Sequence, residues 1–251
     1  MALLGAQAAR GGGSPGGMRP PSPDVEGLYL GVHLGGLWGN HDAKVVADSS
    51  EVGAPLQAGV IPFDIDASGR SVMGGGQLGY NWSWGAALLG IEGDLSATGD
   101  VDSTAVATNV GGGFVPVTTS LSSDMSWLAT VRARIGVLAA PNFMLYATGG
   151  AAFAKVDHVM RLQATPLTAG NLYGTRAETQ TGWTVGGGGE WWMSRDWSLK
   201  AEYLYFDLGK TSVTLHDPAQ FPNVYLVYDV ETTGQIGRVG LNYRFSDPAR
   251  D

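Results

Sequence analysis

Eight stretches in which apolar and polar residues alternate run between Leu28 and Phe245, and their connections are long, short, long, short, long, short, long. Tight turns on one side and elaborated connections on the other arise when a chain runs up and down and closes on itself. The pattern predicts an all-β fold, an eight-stranded antiparallel up-and-down transmembrane β-barrel.

The two faces of each stretch carry the argument further. Leu28, Leu30, Val32 and Leu34 alternate with Tyr29, Gly31, His33 and Gly35, and Val72, Leu78, Tyr80 and Trp82 with Gln77, Gly79 and Asn81. Leu89, Ile91 and Leu95 oppose Glu92 and Asp94; Trp127, Val131, Ile135 and Val137 oppose Thr130, Arg132 and Arg134. Phe143 to Val156 is too rich in Ala and Gly for its faces to be read. Trp183, Val185 and Trp191 oppose Thr184 and Glu190. Trp197, Leu199, Ala201, Tyr203 and Tyr205 alternate with Ser198, Lys200 and Glu202, and Val239, Leu241, Tyr243 and Phe245 with Arg238, Asn242 and Arg244.

The charges decide which face is inside. Glu92, Asp94, Arg132, Arg134, Glu190, Lys200, Glu202 and Arg238 fall on one set of faces in mixed signs, and the other set is aliphatic and aromatic. A soluble lipocalin-like barrel would bury the apolar set, and a membrane barrel turns it to lipid. So large an exposed apolar surface would make a soluble monomer aggregate, so the charged set is assigned to the lumen. Eight strands leave an interior about wide enough for side chains, and unpaired ions there are costly. The spacing therefore predicts ion-pair layers joining Glu92 and Asp94 to Arg132 and Arg134, and Glu190 and Glu202 to Lys200 and Arg238. Trp82, Trp84, Trp183, Trp191, Trp197, Tyr203, Tyr205 and Phe245 are candidates for the aromatic girdles of the two interfaces.

Tight turns are expected near residues 83–86, 139–142 and 193–196, and long loops at 39–70, 97–121, 157–178 and 208–230, facing outside. Residues 1–26, Gly- and Pro-rich, are expected to form a flexible leader without the apolar run of a secretory signal. Residues 27–245 form the barrel domain and 246–251 a short tail. A net charge of −8 argues against nucleic-acid binding, and the absence of Cys removes disulfides and thiolate metal sites.

No catalytic residues, metal site or cofactor are expected. Gly74-x-Gly76-x-x-Gly79 resembles a dinucleotide motif but lies within a strand. Gly12-x-Ser14-x-Gly16 lies in the leader, away from any strand-turn-helix. His33, His41, His158 and His216 are scattered, which leaves a lipid hydrolase as a weak alternative. Asp42, Asp48, Glu51, Asp64, Asp66, Asp100 and Asp102 make the outer loops acidic without calcium-loop spacing, so an unidentified loop ligand is left open.

Gly74-Gly75-Gly76-Gln77-Leu78-Gly79-Tyr80-Asn81-Trp82 followed by Leu89-Gly90-Ile91-Glu92-Gly93-Asp94 resembles the small outer-membrane immunogenic protein family, porin-like surface antigens of Gram-negative bacteria. Leu128–Gly136, Leu145–Ala152, Gly182–Gly186, Ala201–Tyr205 and Val239–Phe245 extend the likeness over residues 27 to 245. The resemblance implies an eight-stranded barrel similar to the OmpA transmembrane domain, located in the bacterial outer membrane among its lipids. It also implies an assembly signal at Tyr243 and Phe245, read by the barrel-assembly machinery. The function expected is structural or surface-interactive, with a narrow porin for small solutes as the alternative.

Overall fold

The computed structural model describes residues 26–245 apart from 50–52, 54–56, 86, 100–102, 111–115, 165–170, 218 and 220. Residues 1–25 of the leader, the tail, Glu51, Asp100, Asp102 and the glycine–serine motif of residues 12–16 lie outside the described residues. Nine strands follow one another: β1 (Gly27–Asp48), β2 (Asp64–Trp84), β3 (Ala87–Thr98), β4 (Ser103–Asn109), β5 (Val117–Ala140), β6 (Phe143–Ala164), β7 (Asn171–Trp192), β8 (Trp197–Asp217) and β9 (Phe221–Arg244). Every pairing is antiparallel, β1 joins β9, and β3 joins β5, so the ladder closes. β4 continues the line of β3 along the upper part of β5, so the nine segments occupy eight barrel positions.

The tight turns fall between Trp84 and Ala87, Ala140 and Phe143, and Trp192 and Trp197. The expected long loops are largely strand, which corrects the sequence reading. At about 3.3 Å per residue and a tilt near 45°, the 22 residues of β1 rise roughly 50 Å, about twice the apolar band of such barrels. The eight stretches legible in the sequence are the membrane-facing halves of the strands. Beyond them the alternation continues, but the outward positions become polar: Asn40, Asp42 and Lys44 follow Leu34 and Trp38 on β1. Such a stretch reads as hydrophilic loop although its inward positions are filled. Asp42, Asp48, Asp64 and Asp66 accordingly lie on β1 and β2, not in loops.

Above the band the wall divides. The β2–β3 ladder ends at Met73–Thr98, and β4 pairs with β5 alone. The β7–β8 ladder runs to Trp183–Asp207 and resumes only at Tyr173–His216. Gly209, with φ +74°, sits in the bulge of β8 between Asp207 and Lys210, a backbone conformation open to glycine. The upper half is thus two sheets, β4-β5-β6-β7 and β8-β9-β1-β2. Leu121, Met160 and Leu162 of the first pack with Ala43, Val213, Leu226 and Tyr228 of the second. Val60 and Ile61, from the connection before β2, enter the same core, held by the Tyr228 hydroxyl donating to the Pro62 carbonyl at 2.7 Å.

Candidate functional site: the lumen

The interior is stratified. At the tight-turn end Leu88, Met144, Tyr146 and Trp192 form an apolar floor. Met144 and Tyr146 also settle the faces of β6, whose even-numbered side chains from 144 to 148 and 152 to 164 point inward. Above the floor lies the charged layer, then a second apolar layer including Leu37, Met73, Leu128 and Phe206, then a histidine layer, then the core of the two sheets.

All eight charged side chains singled out in the sequence are buried together. Glu92 is the hub: it pairs with Arg132, with Arg134 at 3.4 Å and with Lys200 at 2.8 Å. Asp94 takes Arg132 at 2.9 Å and Arg238 at 3.0 Å. Glu202 takes Arg132 at 3.1 Å and Arg238 at 2.6 Å. Glu190 does not join Lys200 and Arg238 as the spacing predicts. It pairs with Arg134 at 2.7 Å and accepts hydrogen bonds from Ser198 and Asn242. The two expected layers are one network, because long arginine side chains cross the narrow lumen and ignore strand adjacency.

Four carboxylates meet four cations, and the net charge of the cluster is zero. Neutral donors complete it. Tyr29 donates to Glu92 at 2.6 Å, Thr130 to Asp94 at 2.6 Å and Tyr146 to Glu202 at 3.0 Å. The Arg134 guanidinium lies 4.1 Å from the Tyr146 ring centroid, a cation–π contact strengthened by burial. Gly79 makes room for Tyr29: a Cβ there would stand 2.3 Å from the Tyr29 hydroxyl.

Sequence reading missed a second constellation in the upper half. His41 and His158 meet edge to face with ring centroids 5.6 Å apart. His158 Nδ1 lies 2.8 Å from the Ser123 hydroxyl and its Nε2 3.1 Å from the Gln180 amide; His41 Nδ1 lies 3.2 Å from the Thr232 hydroxyl. The separation of these residues along the chain leaves no local signal. Burial lowers both imidazoles, His41 to about 3 with His158 adding, and His158 to about 4 with Glu178 and Asp157 opposing. The Ser123–His158 pair has nucleophile-and-base composition, but both residues are buried between apolar layers, beyond the reach of a lipid ester. Among the described residues no group of three or more His, Asp or Glu side chains converges as a metal site.

The aromatic candidates occupy both ends of the lipid-facing surface. Trp82, Trp84, Trp191, Trp197, Tyr243 and Phe245 lie at the tight-turn end, and Trp183, Tyr203 and Tyr205 toward the other. Trp38 and Trp127 join the upper set. Tyr243 stacks edge-on between Trp197 and Phe245, each ring 5.2 Å away.

A closed strand wall with Leu, Val, Ile and Trp exposed around one half and charge sealed inside defines an integral β-barrel of the bacterial outer membrane. The chain belongs to the outer membrane protein beta-barrel domain family, whose model matches residues 24–245. It is 31% identical over 219 residues to the 31 kDa outer-membrane immunogenic protein of Brucella melitensis, covering 87% of this chain and 83% of that one. The same figures hold for the Brucella suis protein of that name. Among solved structures it resembles the outer membrane protein OprG of Pseudomonas aeruginosa, with a TM-score of 0.51 and 11% identity over 88% of this chain and 97% of that one. That likeness concerns the fold.

Proposed function

We propose that this outer-membrane barrel is closed to solutes and acts through its outer half, as a rigid surface structure and not as a pore or an enzyme. The observation that carries the reading is the neutral four-against-four ion network, whose charged side chains are at most 3% exposed. Transfer of such ions from water costs several kcal/mol each without partners, and here each has partners. Apolar layers above and below interrupt a continuous water path. The two-sheet upper half, with its own core, holds its outward surface rigidly, consistent with the immunogenic naming of the Brucella relatives.

Tyr243 and Phe245, at the end of β9, are proposed to serve as the signal for the barrel-assembly machinery, and outer-membrane lipid as the solvent of the apolar face. Proteoliposome swelling in small sugars and amino acids tests the central reading. Swelling no faster than in empty liposomes is expected; swelling graded by solute size would favour the narrow porin. Lipid hydrolysis by the refolded chain that is lost on Ser123→Ala would overturn the non-enzymatic reading.

A further inference from the structure

The outward face carries a small built recess where the apolar band ends. Gly39 on β1 and Gly69 on β2 are cross-strand partners; beside them Trp38 stands opposite Arg70, and Asn40 opposite Ser68. These four side chains are exposed, point away from the lumen, and with the two glycines line a recess of about 380 Å³. Below it the outward positions are aliphatic, Val32, Leu34 and Val72. Above it they are Asp42, Lys44, Asp64 and Asp66. The recess therefore straddles the level at which hydrocarbon gives way to head groups.

Each residue fits that level. The Trp38 ring lies over Gly36 and Gly237 on the band side: a Cβ at those glycines would stand 3.1 and 3.5 Å from its carbons. Indole favours the membrane interface, with an apolar body and a polar edge. Arg176 and Lys210, exposed higher on the wall, are paired with Glu178 and Glu231, whereas Arg70, like Lys44, Lys155 and Arg161, stands outside the ion pairs and is set apart by its place beside Trp38 in the recess. Among the described residues Arg70 has no carboxylate within ion-pairing distance. Its guanidinium is a planar fork suited to phosphate, and Asn40 and Ser68 add hydrogen-bonding groups at the next outward-facing pair.

We propose that this recess binds the phosphate of an anionic lipid head group in the outer leaflet. Arg70 and the Asn40–Ser68 pair hold the phosphate, and Trp38 seats the apolar start of the lipid. Asp42 and Asp66, the next outward-facing cross-strand pair up, repel anions, which confines the phosphate to the Arg70 level. The proposal rests on membrane insertion and not on the closed lumen, so an open pore would leave it standing.

The test reconstitutes the full chain in phosphatidylcholine nanodiscs containing a phosphorylated glycolipid or its dephosphorylated counterpart, and counts retained lipid by native mass spectrometry. Heat-modified gel mobility establishes that each variant is folded before it is scored. Wild type is expected to favour the phosphorylated lipid about tenfold, the scale of charge-assisted hydrogen bonds. Arg70→Gln brings the two lipids near parity, Arg70→Lys keeps part of the preference, and Lys155→Gln on β6 keeps all of it. Equal retention by wild type and Arg70→Gln would overturn the site. Displacement of the lipid by millimolar inorganic phosphate would also overturn it, assigning the recess to free anions.

Discussion

Lys200 donates to both oxygens of the Glu92 carboxylate, at 2.8 and 2.9 Å, across 108 residues of sequence. The contact spans the lumen from β8 to β3, and Arg132 and Arg134 converge on the same carboxylate. Glu92 is thus the point at which the barrel's two sides are tied.

Loss of that hub leaves buried cations short of a partner. Glu92→Gln is expected to cost about 3–5 kcal/mol, the range for breaking one side of a buried ion pair. Glu92→Gln with Lys200→Met removes one charge of each sign and is expected to cost less than the sum of the single changes. Urea unfolding in detergent micelles measures both. Equal stability of Glu92→Gln and wild type would contradict the network's role.

The lipid-facing wall makes a depth-dependent prediction. Val32 lies midway along the apolar half of β1, whereas Leu199 is two residues from the rim residue Trp197. Val32→Arg is expected to cost about 2–4 kcal/mol and Leu199→Arg about 1 kcal/mol or less, since the penalty falls toward the interface. Reversible folding into lipid vesicles reads the difference, and equal costs would misplace the bilayer.

Acid should loosen the upper half first. An unfolded histidine titrates near 6.5, and His41 and His158 are lowered in the fold, to about 3 and about 4. The unfolded state therefore binds more protons as pH falls below about 6.5, and stability is lost until the folded values are passed. At pH 5 the loss is on the order of 2 kcal/mol per histidine. Limited proteolysis at pH 7 and pH 5 should show new cleavage above the band in acid, and His41→Gln with His158→Gln should flatten that dependence. Identical patterns at both pH values would count against the buried pair.

Asp42 stands between Asp66 on β2 and Glu231 on β9. Partial burial raises its pKa, with Asp66 and Glu231 adding to the effect. A carboxylate raised in the fold weakens it above that pKa, and the penalty fades as pH falls through it. Asp42→Asn is therefore expected to raise the melting temperature at pH 7.5 by roughly one to two degrees and to have little effect at pH 3. A lower melting temperature at pH 7.5 would contradict the repulsion.

The membrane half of the fold was legible because lipid and lumen impose opposite polarity on alternate residues, as Leu30 and Val32 do against Tyr29 and His33. The upper half was obscured because water outside and an apolar core inside leave Asn40, Asp42 and Lys44 resembling loop residues. The members of the lumen network were readable from their faces, but Glu190's partner was not. Adjacency points to Lys200, its cross-strand neighbour on β8, whereas Arg134 reaches it across the interior. His41 and His158 come from β1 and β6, brought together only by closure of the barrel.

Single-channel recording of the refolded chain in a planar bilayer tests the sealed lumen most directly. The neutral, layered interior predicts an inserted, heat-modifiable barrel with no discrete conductance. Reproducible steps in wild type that change on Arg132→Ala would show ions passing through the network and would contradict a closed barrel.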